Sequence, residues 1–219
     1  MLFRSLIVQP LDPSDERWSQ LAESLPIVSI GDALHGGRAA GEVVFDNRSG
    51  VTLALEHLHK LGHRRIGVLT PTQPSTPDRP ADIYVTAEAE RLGLEVSIIS
   101  SPPALTAATE VAREVLSKTD RPPALFCFAD SIAYGAYAAA RELGLRIPDD
   151  VSVCGYDDHP MSALLTPALT TVDWNIERIV RAAVRLTLAA IERKPQRRRI
   201  VQRPQLRKRG STGPPREPA

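Results

Sequence analysis

Residues 151–160 read VSVCGYDDHP, an apolar run that ends on two adjacent carboxylates, Asp157 and Asp158. Such groups can share a proton as general acid and base, ligate a metal, close a turn, or accept hydrogen bonds from a polar ligand. The first use is disfavoured, because consecutive residues of an extended chain point to opposite sides and cannot readily share one proton. Other polar groups follow apolar runs in the same way: Asp46 and Asn47 after VVF, Ser75 and Arg79 downstream of GVLT, and Asp130 after FCFA. Each has a plainer structural use. Asp46 or Ser49 can cap a helix over 48–61, Asp130 stands where it would cap a helix over 130–143, and Asp158 can hold the turn ahead of Pro160. His59 and His63 are four apart, but Gly62 intervenes and no acidic third ligand is spaced to join them, so no metal site is expected. The chain has no G-x-S-x-G elbow, no G-x-G-x-x-G fingerprint and no glycine-rich phosphate loop. Binding, without a cofactor and without enzymatic turnover, is the better expectation.

These groups depend on alternating elements to position them. Strand-like runs lie at 5–9, 26–30, 42–45, 65–70, 94–100, 124–128, 151–155 and 169–172, several of them apolar on consecutive residues, as strands covered on both faces should be. Helical patterns fall between them at 14–23, 48–61, 81–92, 106–117, 130–143 and 174–192. In the second, Val51, Leu53, Leu55, Leu58 and Leu61 supply most of an apolar stripe and Gly62 is placed to stop the helix. The Pro-rich stretch 71–80 is a loop, and 210–219 reads as a frayed tail. Alternation of this kind predicts an α/β fold with parallel strands. In doubly wound sheets ligands gather beyond the carboxyl ends of the strands, where the polar groups named above fall.

The chain has 219 residues, with 42% apolar and 5% aromatic content, and no run near the roughly 18 apolar residues of a membrane span. The amino terminus has a short apolar run and no export-type cleavage site, so a cytoplasmic location is expected. Cys127 and Cys154 lie inside apolar runs without C-x-x-C spacing and read as reduced, buried thiols. The net charge is +1, yet residues 193–209 hold nine Lys or Arg and no acid, which leaves 18 bases against 26 acids elsewhere. That body would repel a phosphate backbone. The basic segment could be a nucleic-acid arm, but it lacks interleaved aromatics, and IVQ at 200–202 looks like a terminal strand flanked by solvated charge.

Three segments carry a family likeness: VVFDNRSGVTLALEHLHKLGHRRIGVL (43–69), PALFCFADSIAYGAYAAARELGLRIPDDVSVCGYDDHPMSALLTPALTTV (123–172) and LRKRGST (206–212). In order and spacing they resemble the effector-binding domain of LacI/GalR-family transcriptional regulators. The resemblance implies a type I periplasmic-binding-protein-like fold of two doubly wound parallel-sheet lobes. One lobe would be built from 1–42 plus 173–198 and be incomplete, the other from 43–172, with a closing strand at 199–212 and a tail at 213–219. It further implies a chain that lacks the DNA-binding headpiece and the first βα units of one lobe. Operator DNA would be reached only through that headpiece, and the partners would be a sugar-like effector and a second copy of the chain, paired through the surface around Tyr134, Tyr137 and MSALLTP. A solute-binding protein of the same fold is the alternative.

Residue by residue, Asp157 matches the ligand-binding aspartate of the family's G-[FY]-D-D motif, with Asp158 as turn support. Arg79 lies two positions from the family's effector-binding arginine, and Asp130, Ser75 and Asp46 complete the candidate ligand set. Ala129 stands where the family commonly carries an asparagine, and Tyr84–Val85 replaces its usual glycine–aromatic pair. His57 and His63 belong to structural runs of the family.

Overall fold

The computed structural model describes residues 3–9, 16–31, 34, 39–71, 80–194 and 199–216. Ser75 and Arg79 lie outside the described residues. In chain order the elements are β1 (Leu6–Val8), α1 (Glu16–Ser24), β2 (Ile27–Gly31), β3 (Gly41–Phe45), α2 (Asn47–Lys60), β4 (Arg65–Thr70), α3 (Pro80–Leu92), β5 (Glu95–Ser100), α4 (Leu105–Leu116), β6 (Ala124–Cys127), α5 (Asp130–Glu142), β7 (Ser152–Asp157), β8 (Thr170–Asp173), α6 (Ile176–Ile191), β9 (Arg199–Gln202) and β10 (Gln205–Arg207). A 3-10 turn spans Pro160–Ala163. Every strand and helix read from the sequence forms; β10 is additional.

The chain divides into two compact units, Met1–Asp46 with Trp174–Pro204, and Asn47–Asp173 with Gln205–Ala219. The first is built on a four-stranded parallel sheet in the order β1-β2-β3-β9. Trp18, Leu21 and Ala22 of α1 pack with Leu6, Val8, Ile27, Leu34 and Ala39. Helix α6 lies on β2 and β3, where Leu186 comes so near Gly41 that a Cβ there would sit 3.0 Å from it. Phe45 stacks on Trp174 at 4.8 Å. The sequence reading placed residues from 43 onward in the longer lobe. Instead β3 pairs with β2 and β9 in the shorter unit's sheet, because its Val43 is needed in that core, and the chain crosses over after Asp46.

The second unit holds a six-stranded sheet in the order β10-β8-β7-β6-β4-β5, parallel except for β10, which runs antiparallel to β8. Strands β4, β6, β7 and β8 bury consecutive residues, as strands covered on both faces must. Helices α4 and α5 enclose one core with Leu69, Leu125, Cys127 and Val153. Gly135 lets these helices cross closely, since a Cβ there would lie 2.7 Å from Ala108. On the alternate residues, Phe126, Phe128 and Tyr156 form an aromatic cluster.

The expected frayed tail needs correction at 210–216. Ser211 Oγ donates to the Val153 carbonyl at 2.6 Å and accepts from the Thr170 amide at 2.7 Å. His57 Nε2 meets Thr212 Oγ1 at 2.9 Å, His63 Nε2 meets the Gly213 carbonyl at 2.9 Å, and Arg216 pairs with Asp150 at 2.7 Å. The segment is polar and short of apolar anchors, so its order comes from hydrogen bonds that no local pattern announces. Both cysteines are free and buried, and burial raises both thiol pKa values.

Candidate ligand-binding site

Strand β7 delivers Asp157 and Asp158 at its carboxyl end, in a backbone conformation foreign to strands: φ is +125° at Asp157 and +53° at Asp158. Two consecutive non-glycine residues in this region carry strain that persists only where the surroundings impose it. The two carboxylates part company there. Asp158 Oδ1 accepts from Arg209 Nη2 at 2.6 Å, while Arg207 Nε stands 3.8 Å from its other oxygen. Asp157 keeps part of its surface exposed to water while protein packs round the rest, and among the described residues no side chain bonds to it. The Asp130 backbone amide at the start of α5 is close enough to favour its charged form. Crowding by the protein around it, reinforced by the Asp130 carboxylate and opposed by that amide, pushes its pKa up to about 7.

Asp130 is a hub and not a cap. The N-cap of α5 is Ala129, which makes no side-chain bond, and the buried Asp130 carboxylate turns away from the helix. Its Oδ1 accepts from Thr171 Oγ1 at 2.6 Å; its Oδ2 accepts from Ser162 Oγ at 2.5 Å and from the His159 amide at 2.8 Å. One charge thus ties β6 and α5 to β8 and to the turn after β7. Gly155 makes room for it, since a Cβ there would run into Asp130 Oδ1. The expectation of Asp130 as a ligand group is therefore corrected: its oxygens are committed to protein donors and buried, because three donors from distant segments converge on them.

At the start of α2, Asn47 Oδ1 accepts from Tyr156 OH at 3.1 Å, and Gly50 leaves space for that phenol. Asp46 lies in the other unit, where its backbone amide donates to the Gln202 carbonyl at 3.0 Å. Of the five predicted site residues, the second unit brings Asp157 and Asp130 together, Asp46 is placed in the first, and Ser75 and Arg79 fall outside the described residues. Sequence reasoning missed Thr171, Ser162, Arg207 and Arg209. The last two carried a signal: two apart in LRKRGST, they share one side of an extended chain.

Chemically, the site offers an accessible carboxylate that can accept hydrogen bonds, held on a rigid strand end, and among the described residues no nucleophilic side chain bonds to it. Among the described residues no group of His, Cys, Asp and Glu could hold a metal ion, and no helix is long and apolar enough to cross a membrane. The polar groups stand at the carboxyl ends of the strands, where ligands of doubly wound α/β sheets gather.

The comparisons with known proteins agree. Residues 55–212 match the periplasmic binding protein-like domain family. The regulator MalR of Streptomyces coelicolor is 35% identical over 90% of this chain and 59% of its own length. A LacI-family regulator from Bifidobacterium animalis superimposes with a TM-score of 0.88 at 22% identity, covering 97% of this chain and 79% of that one, a likeness of fold. A LacI-family regulator from Arthrobacter, solved in complex with lactose, does so with a TM-score of 0.85 at 25% identity over 95% of this chain and 78% of its own. The chain belongs to the periplasmic binding protein-like domain family and has the effector-binding domain of LacI-family regulators. It spans between 46% and 60% of the length of the curated relatives it matches, which are regulators and not enzymes.

Proposed function

We propose that this domain binds a sugar or similarly polyhydroxylated effector through Asp157 and works in the cytoplasm as the sensing and pairing part of a transcriptional regulator. The carrying observation is the Asp157 carboxylate, exposed at a strand end and bonded by no side chain among the described residues. A carboxylate can accept two hydroxyl protons at once, and such charge-assisted bonds are the strong ones. The lactose complex of the Arthrobacter relative supports the ligand class. Pairing is supported by Met161 and Leu164, 49% and 74% exposed on the turn that α5 buttresses through Tyr134 OH to Ser162 Oγ at 2.9 Å and Tyr137 OH to the Pro167 carbonyl at 2.8 Å. Contact with operator DNA belongs, on this reading, to a headpiece outside the 219 residues.

Calorimetry against a panel of mono- and disaccharides including lactose tests the reading. A ligand should emerge, and Asp157→Ala should weaken it by at least about tenfold, the low end for losing a hydrogen bond to a charged group. Silence across the panel, or an unchanged affinity in the variant, would overturn it.

A further inference from the structure

We infer that Arg209, fifty-two residues beyond the site in the chain, is a positioning residue for ligand binding: by gripping Asp158 it holds the neighbouring Asp157 carboxylate in its presenting conformation. The inference rests on Asp157 being the ligand hook, as proposed above.

Asp157 and Asp158 both stand at positive φ, so neither would adopt this geometry unaided. The stretch is anchored before and after. Asp157 is the last residue of β7 and is in register with Asp173 of β8, and the His159 amide is fixed to Asp130 Oδ2 at 2.8 Å. Between these anchors Arg209 supplies the closest grip: Nη2 donates to Asp158 Oδ1 at 2.6 Å, with both side chains largely covered, 22% and 19% exposed. A longer bond runs from the Asp158 amide to Thr171 Oγ1 at 3.4 Å. The guanidinium is itself immobilised, since Nη1 donates to the Leu169 carbonyl at 2.8 Å and the Arg209 amide to Thr170 Oγ1 at 2.9 Å. A planar fork fixed at both ends sets the direction of the carboxylate it holds, which a flexible ammonium would not do. Its neighbour Arg207 is held mainly by Asp173 at 2.7 Å and approaches Asp158 only to 3.8 Å. Asp158 is thus drawn to Arg209, while the groups that act on the Asp157 carboxyl are the carboxylate and amide of Asp130 at the start of α5.

Among the described residues the charged and titratable groups about Asp157 include Asp130 and Tyr134 of α5, Asp158 beside it, His159 against Tyr134, and its register partner Asp173 in β8, the last already paired with Arg207. This setting makes the Asp157 titration a ligand-free reporter of its position. If Arg209 acted only through its charge, its loss would remove a cation and leave the Asp157 pKa unchanged or higher. If it positions Asp157, its loss lets the carboxyl move away from the Asp130 carboxylate and the protein around it, and the pKa falls toward the ordinary carboxylate value of about 4.

The test follows the Asp157 carboxyl carbon by NMR across pH in the full chain, with Asp157→Asn identifying the signal, in wild type and in R209Q and R209K. Thermal melts establish that each variant is folded. A downward shift in R209Q, with R209K intermediate, is the expected result. Folded variants whose Asp157 titrates as in wild type, or at higher pH, overturn the inference; should R209Q fail to fold, R209K decides it in the same way. Where a panel sugar binds wild type, R209Q should weaken it about tenfold. If no sugar binds, the proposed function falls, while the titration still answers whether Arg209 positions Asp157.

Discussion

At the scale of single residues, two aspartates 27 positions apart divide the work of the site. Asp130 is consumed by the fold: removing its carboxylate strands Thr171 Oγ1, Ser162 Oγ and the His159 amide. Asp130→Ala should therefore cost about 3 kcal/mol in urea unfolding, the range for leaving buried donors unpaired. Gly155→Ala should be similarly damaging, because its methyl would meet Asp130 and come within 2.9 Å of Leu169. Asp157 carries the opposite signature. Its pKa, pushed up to about 7, means that the carboxylate form that accepts hydroxyl protons fills only as pH rises through neutrality. Affinity for the identified sugar should accordingly tighten between pH 6 and pH 8, and calorimetry on Asp157→Asn should show that dependence gone. For folding the sign is reversed. A carboxyl whose folded pKa lies above its unfolded value favours the folded state less as pH climbs from about 4 to 7.

At the scale of elements, the carboxy-terminal strap 210–216 links the end of α2 to the start of β7. His57 and His63 hold it as neutral rings. Burial, with Lys208 and His63 nearby, pushes the His57 pKa down to about 4, and burial also lowers that of His63. A histidine depressed in the folded state takes up its proton first when unfolded. The stability these rings contribute is thus complete above about pH 6.5 and is lost as pH falls toward 4. Urea midpoints should drop from pH 7 to pH 5, and His57→Gln should flatten the drop, a pattern that equal slopes in both proteins would refute. Helix α6 shows the limits of an element read alone. It buries Ile179, Ala183 and Leu186 against its sheet yet leaves Ile176, Val180, Val184 and Leu188 between 43% and 68% exposed. Periodicity marks both rows as apolar and does not say which one is covered.

At the scale of the whole molecule, charge and exposed apolar surface bear on association. The basic run 193–209 is partly neutralised in place: Lys194 pairs with Glu192, Arg207 with Asp173 and Arg209 with Asp158. Among the described residues of the run these three cations have acidic partners, which favours the structural reading over a nucleic-acid arm. Met161 and Leu164 lie outside this charged region on an exposed turn. Sedimentation at micromolar concentration should show self-association, and Leu164→Glu should shift the population toward monomer; a wild type that sediments as a clean monomer would remove the pairing role from this surface.

The sequence by itself determined the alternation of elements and hence the α/β class, because strands buried on both faces must be apolar throughout and helices beside them apolar on one stripe. It also determined that Gly62 ends α2, where φ is +102°, and that polar groups collect after the strands. Such features are local, written in runs of neighbouring residues. Only the tertiary structure decided that β3 belongs with β9, that Asp130 faces inward to three donors instead of capping α5, and that Arg209 reaches Asp158 across 51 positions. These depend on which distant segments are brought within about 3 Å, and a hydrogen bond or ion pair leaves no periodic trace in the chain that makes it.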